Sequence, residues 1–174
     1  SLSRNFAAPI VAPGDNAPGV DSGDWADKNG HGTHVAGTIA AAGNNGIGVA
    51  GVNWDADLIA VRACDFDGYC DIASVASAAA YAGQVGARTA NISLGFNGEQ
   101  SEASIIRSAI AAHPDTLYVA AAGNEESDDD TTPVWPCNLD LANVICVAAT
   151  DQNDQLADYS NYGATTVDLA APGD

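Results

Sequence analysis

Two histidines stand among small residues at the head of an apolar run, in the stretch Asn29 to Gly37, N-G-H-G-T-H-V-A-G. Imidazole takes up and returns a proton near neutral pH, so a histidine at the mouth of a helix is a candidate general base. His31 holds that place, while His34, three residues on, points to nearly the same face but deeper and reads as a hydrogen-bonded core residue. A two-histidine zinc helix would use H-E-x-x-H, and neither that spacing nor its glutamate is present. Two other polar stretches could carry chemistry, N-I-S-L-G at Asn91 to Gly95 and A-A-G-N-E at Ala121 to Glu125. Ser93 is not placed as a nucleophile, because it lies within an apolar strand pattern and lacks the G-x-S-x-G elbow.

The elements that must hold these residues follow from periodicity. Gly30 to Ala42 has helical spacing, with Val35, Ile39 and Ala42 on one face and small residues that permit close packing, and predicts a buried helix ended by Gly43-Asn44-Asn45-Gly46. Strands are predicted at Asp57 to Cys64, Thr89 to Leu94, Thr116 to Ala122, Val144 to Ala149 and Thr166 to Ala170, with Pro172 as a breaker. Helices are predicted from Ile72 to Gly86 and from Ser101 to His113. Apolar strands alternating with helices imply an α/β domain whose parallel sheet is covered on both faces by right-handed crossovers. Ligands of such sheets collect beyond the carboxyl ends of the strands, where His31 at the start of the first helix, Ser93-Leu94-Gly95 and Ala122-Gly123-Asn124 are expected to fall. Residues 1 to about 28, rich in Pro, Gly, Asp and Asn, read as a surface excursion, and the acidic run Glu125 to Asp130 as an exposed loop.

Five Lys and Arg against 23 Asp and Glu give a formal charge of -18, which repels nucleic acid and anionic lipid and excludes both as partners. No run approaches the ~18 apolar residues that cross a bilayer. Cys64, Cys70, Cys137 and Cys146 can pair in three ways; their spacings of six and nine residues suit two local bridges, Cys64 with Cys70 and Cys137 with Cys146, and such bridges imply export.

With these motifs laid out, the chain resembles the subtilisin-like serine proteases (subtilases, peptidase family S8). His31 to Gly37 is similar to the family's catalytic-histidine motif, Asn91 to Gly95 to its substrate-binding strand, and Ala121 to Glu125 to its oxyanion-hole motif. Ser160-Asn161-Tyr162-Gly163 and Asp168 to Gly173 resemble the segments that lead towards the nucleophile, and agreement runs from about Asp24 to the end. The resemblance implies a three-layer αβα subtilisin-like fold with a mostly parallel sheet, truncated at both ends, so that residues 1–174 form one partial peptidase domain. It implies a secreted endopeptidase acting on polypeptides by acyl transfer, with His31 as general base and Asn124 as oxyanion donor. Ser93, Leu94 and Gly95 would pair with the substrate as an added strand, and Ala121, Ala122 and Gly123 would wall the pocket for the side chain before the scissile bond. Gly43 to Val49 resembles the family's calcium loop, with one residue more than the common form, and makes Asn45, Ile47 and Val49 the metal positions.

The family's G-T-S-M-A nucleophile motif is absent, there being no methionine. Asp21-Ser22-Gly23 imitates its aspartate motif, but no strand precedes it and only ten residues separate Asp21 from His31, so it is rejected as the triad acid. Asp27 matches a residue near the family's substrate cleft. The chain by itself is therefore expected to be inactive, with the remaining fragments of its own catalytic domain as partners; the alternative is a catalytically inactive subtilase-fold module that binds peptides or proteins. Thiol titration of the denatured, unreduced protein should find no free thiol, and finding four would contradict the bridges and the export they imply.

Overall fold

The computed structural model describes residues 26–174 and, as backbone, the short strand Arg4–Asn5. Most of the surface excursion expected over residues 1 to about 28, Asp21-Ser22-Gly23 included, lies outside the described residues. The chain divides into two compact units, Ser1–Ala78 and Ala79–Asp174, with the division inside a helix.

In the first unit, β1 (Arg4–Asn5) pairs in parallel with β2 (Val61–Arg62), Arg4 opposite Val61. Only Val61 and Arg62 of the eight-residue strand expected at Asp57 to Cys64 join a ladder, because the described partner offers two residues and the chain then turns. Cys64 and Cys70 are disulfide-bonded and form an antiparallel bridge, with the Asp65 amide donating to the Tyr69 carbonyl at 2.9 Å. Inside that loop the Asp65 carboxylate accepts the amides of Asp67 and Tyr69 at 2.9 and 3.0 Å.

Helix α1 (His31–Ala40) is shorter than the expected Gly30 to Ala42, and none of its residues is buried. Among the described residues of this unit, its last turn is covered by the returning loop 51–53. The amides of Gly51, Val52 and Asn53 donate to Ala41, Thr38 and Ile39 at 2.9 Å, satisfying carbonyls that a helix end leaves open. Gly51 is required there, since a Cβ would run into the backbone of Ala40 and Ala41.

Helix α2 (Ile72–Gln84) crosses the division, and the second unit continues with β3 (Thr89–Ile92), α3 (Gln100–Ala111), β4 (Leu117–Ala121), β5 (Val144–Thr150) and β6 (Leu169–Pro172). The strands form one parallel sheet in the order β3-β4-β5-β6, with Asn91 opposite Val119, Ala121 opposite Val147 and Ala149 opposite Ala171. The strands read as continuously apolar, yet burial alternates: Tyr118, Ala120, Val144, Cys146 and Ala148 are buried while Val119, Ala121, Ile145 and Val147 are half-exposed. This period of two is what a pleated strand imposes when its two faces are unequally covered.

Polar contacts tie the helices to the sheet. The Tyr118 hydroxyl donates to the Ala79 carbonyl of α2 at 2.9 Å, and burial pushes its pKa up. The Asn143 amide donates to the carbonyls of His113 and Thr116, both at 3.1 Å, and so closes the connection from α3 to β4. A capping box of Glu99 and Glu102 starts α3, whose Ala103, Ile106 and Ile110 are fully buried.

The irregular segment after β4 is bonded to β5 by the Cys137 to Cys146 disulfide, within a core of Ala120, Ala122 and Ala148 against which Val167 packs. The last strand lies later than the expected Thr166 to Ala170 because the amides of Thr165 and Thr166 are taken by the Asp130 carboxylate. Pro172 closes the strand opposite Thr150 instead of breaking it.

Candidate active site

The first unit positions His31 through Asp27. One Asp27 carboxylate oxygen accepts the amides of Asn29 and Gly30 at 2.9 and 2.8 Å; the other accepts the Thr33 amide at 2.8 Å and its hydroxyl at 2.6 Å. A single carboxylate thus stands in for a side-chain cap, which the helix lacks at Gly30, where φ is 100°. These hydrogen bonds, Thr33 first, hold the Asp27 carboxyl far below the usual carboxylate range. The Asn29 amide also donates to the Phe66 carbonyl at 3.1 Å, which fixes the approach to the helix. His31, the first helical residue, is exposed. His34 is exposed as well, contrary to the core role expected of it, because nothing among the described residues of this unit covers the first turn.

In the second unit a concavity of about 200 Å³ lies at the carboxyl ends of the strands. Ser93, Ala121, Ala122, Gly123 and Asn124 line it, together with Asn91 and, from β5 and β6, Ala149 and Pro172. The alanines and glycines of the lining leave the volume open. Ser93 accepts a hydrogen bond from the Asn91 amide at 2.8 Å. Leu94 and Gly95 do not line the concavity; Gly95 instead packs against Val134, beside the paired backbones of Phe96 and Trp135. Asn124 is exposed, and its side-chain amide has no partner among the described residues.

One side chain organises the loop that carries Asn124. The buried Asn161 accepts the amides of Glu125 and Ser127 at 2.8 and 3.2 Å. Its own amide donates to the Ala122 carbonyl at 3.2 Å, to Glu125 Oε2 at 3.2 Å and to Asp129 Oδ1 at 2.9 Å. The Asn161 backbone amide donates to the Gly123 carbonyl at 3.1 Å. Gly123, with φ at 126°, is the residue this geometry demands, since a Cβ would sit 2.5 Å from Asn161 Nδ2.

The acidic run is not a uniformly exposed loop. Asp129 is wholly buried, and burial pushes its pKa up to about 6, with Glu125, Asp128 and Asp130 adding to the rise and the Asn161 hydrogen bond opposing it. Asp130 is exposed, and hydrogen bonds from Thr166 and Thr165 hold its pKa down at about 2. Asp129 lies within 4.8 Å of both sulfurs of Cys137 and Cys146, but those sulfurs are bonded to each other and offer no thiolate to a metal.

In the calcium-type loop of the first unit, Asn44, Gly46 and Gly48 all have positive φ, and Asn45 Oδ1 accepts the Ile47 amide at 3.0 Å. Among the described residues, no backbone carbonyl from 43 to 49 accepts a backbone hydrogen bond, which leaves the Ile47 and Val49 carbonyls open to a hard cation, while Asn45 Oδ1 already holds the Ile47 amide and has one lone pair left.

The family model described as the subtilase family, Peptidase_S8, matches residues 8–174. This chain belongs to the subtilase family. The subtilase is 44% identical over 149 residues to subtilisin BL of Lederbergia lenta, covering 84% of this chain and 52% of that relative. It is 42% identical over 152 residues to a thermophilic serine proteinase of Bacillus sp. (strain AK1), covering 86% of this chain and 36% of that one. Among solved structures it resembles the epidermin leader peptide processing serine protease of Staphylococcus aureus, with a TM-score of 0.83, 26% identity, and coverage of 99% of this chain and 46% of that one. A protease of Pseudoalteromonas arctica gives 0.78 and 30%, over 98% of this chain and 56% of that one. The subtilase-type α/β fold is thereby shown, and the chain spans about half or less of the curated relatives' length.

Asn161 and Asp129 escaped the sequence reading: the first lay inside a recognised motif as a mere neighbour, the second inside a charge run. The only available signal was an acid flanked by acids, which does not say which member is buried. For the visible device, Asp27, replacement by Ala should cost about 1 kcal/mol, the scale of a lost helix cap. Because its folded pKa is depressed, that contribution is present above the unfolded value near 4 and is lost as pH falls. Urea midpoints of wild type and Asp27→Ala should therefore differ at pH 7, and the difference should shrink steadily as pH falls below about 4.

Proposed function

We propose that this subtilase segment is the central part of a secreted serine endopeptidase domain that cleaves polypeptides by acyl transfer. The observation that carries the reading is the open concavity at the strand ends, lined by Ser93 and Ala121 to Gly123 and bordered by the exposed, unpartnered amide of Asn124.

In this reading His31 takes the proton of a serine supplied from outside residues 1–174 and returns it to the leaving amine. Its exposure at the start of α1 leaves it open to such a partner. An aspartate from outside the described residues would orient it. As the scissile carbonyl becomes tetrahedral, its oxygen gains negative charge, and the Asn124 side-chain amide donates a hydrogen bond to it. The substrate backbone adds to the edge formed by Ser93, Leu94 and Gly95, and its side chain before the scissile bond enters the space left by Ala121, Ala122 and Gly123.

The lining favours a large apolar side chain, because alanines and glycine leave volume without offering charge. Glu125 does not reverse that preference, since its carboxylate turns back to accept the Asn124 backbone amide and the Asn161 side-chain amide at 2.9 and 3.2 Å. Calcium would be held at Asn45, Ile47 and Val49 by one amide oxygen and two carbonyls, where it braces the loop and takes no part in the chemistry. The two disulfides support the secreted assignment.

The test is peptide hydrolysis by the full-length protein that carries this chain. Asn124→Leu should lower kcat by ~10² to 10³ with little change in KM, the loss a subtilisin shows when its oxyanion-hole asparagine is removed. His31→Ala should abolish the acyl-enzyme burst. Full-length protein that binds peptides but neither hydrolyses them nor labels with a fluorophosphonate would replace the enzyme by a peptide-binding module.

A further inference from the structure

Asn161 has two amide hydrogens and three acceptors around them: the Ala122 carbonyl, Glu125 Oε2 and Asp129 Oδ1, at 3.2, 3.2 and 2.9 Å. The three compete, and the shortest contact goes to Asp129. The other end of the same amide holds the amides of Glu125 and Ser127. Any change in what Asp129 can accept is therefore passed to both sides of the loop through one rigid, planar group. Asp129 is itself fixed in place. Its backbone amide donates to the Tyr162 carbonyl at 2.7 Å, and its carbonyl accepts the Asn138 amide at 2.7 Å. Its second carboxylate oxygen, Oδ2, is buried with no hydrogen-bond partner among the described residues, an expensive arrangement for a charged group.

We propose that Asp129 is a proton-responsive positioning residue, which acts through the Asn161 side chain to set the shape of the Ala122 to Ser127 loop and hence the placement of Asn124. The catalytic consequence rests on Asn124 being the oxyanion donor; the coupling itself does not.

The charged groups facing Asp129 are Glu125, Asp128 and Asp130, all acidic, and the sulfurs of the Cys137 to Cys146 disulfide, which also lie close, do not titrate. Burial among these places its protonation near pH 6. Above that pH the carboxylate draws the Asn161 amide by a charge-assisted hydrogen bond; below it the charge assistance is gone and the amide is released towards Ala122 and Glu125. The sign for folding is the reverse of that for Asp27. With a folded pKa raised above the unfolded one, the stability Asp129 contributes is fully present below about pH 4 and is lost as pH rises through about 6. Asp129→Asn, which keeps an acceptor oxygen and removes the charge, should consequently fold at least as stably as wild type at pH 8.

The experiment is a pH titration of the ¹⁵N-labelled full-length protein by NMR, followed by peptide kinetics. In wild type, the Glu125 and Ser127 backbone amides and the Asn161 side-chain amide should move together with one midpoint near pH 6, while the amide of Val119 in the sheet stays still. In Asp129→Asn the loop should hold its low-pH shifts at pH 8, and kcat there should fall by between ~10-fold and ~100-fold with KM unchanged, the scale of a slightly misplaced catalytic group. A loop that does not titrate between pH 5 and 8, or that titrates unchanged in Asp129→Asn, overturns the proposal. Full-length protein that shows the loop titration but no peptide hydrolysis overturns the functional reading of Asn124 and leaves the coupling established.

Discussion

The geometry of the second unit's site depends on one buried amide. Asn161 meets the loop after β4 with its oxygen and its nitrogen at once, accepting from Glu125 and Ser127 and donating to Ala122. An amide plane has no soft torsion between its two ends, so these contacts fix where the chain leaves the sheet and where Asn124 emerges. A serine there could not bridge both sides, and an aspartate could not donate. The neighbouring residues follow from this choice, above all Gly123, whose missing Cβ is what lets Asn161 approach.

The same economy recurs in several carboxylates of the described residues. Carboxylates here bind backbone amides and hydroxyls. Asp27 gathers the first turn of α1, Asp130 gathers Ala164 to Thr166, Asp151 gathers Asn153 and Gln155, and Asp168 accepts the Cys146 amide at 2.8 Å. Each satisfies donors that loops and helix ends would otherwise leave open. Hydrogen bonding to the charged form holds the Asp27, Asp130 and Asp151 carboxyls below their ordinary range. Asp129 alone among the shifted carboxyls is displaced upward, and it is the one that is wholly buried and meets Asn161.

Much of this was legible in the sequence, and the parts that were not have a common cause. The alternation of apolar strands and helices gave the parallel sheet, and short motifs gave the family, because both are local patterns. The disposition of Ser93, Gly123 and Asn124 around one concavity followed from the rule that parallel sheets bind at their carboxyl ends. Burial did not follow. His34 read as a core residue and is exposed, whereas Asp129 read as exposed and is buried. In each case the outcome depends on segments distant in sequence: none among the described residues of its unit covers the first turn of α1, whereas residues 160–166 return beneath the acidic loop. The strand boundaries failed for the same reason, since Thr165 and Thr166 had a β pattern but spend their amides on Asp130.

The claim that Asn161 holds the loop is tested most directly by amide hydrogen exchange in wild type and Asn161→Ala. The Glu125 and Ser127 amides, each hydrogen-bonded to the Asn161 oxygen, should be protected in wild type and should exchange at least ten times faster in the variant. The amides of Val119 and Val147 in the sheet should keep their protection. Unchanged exchange at Glu125 and Ser127 in a folded Asn161→Ala would show that the loop keeps its shape without Asn161, and would contradict the account.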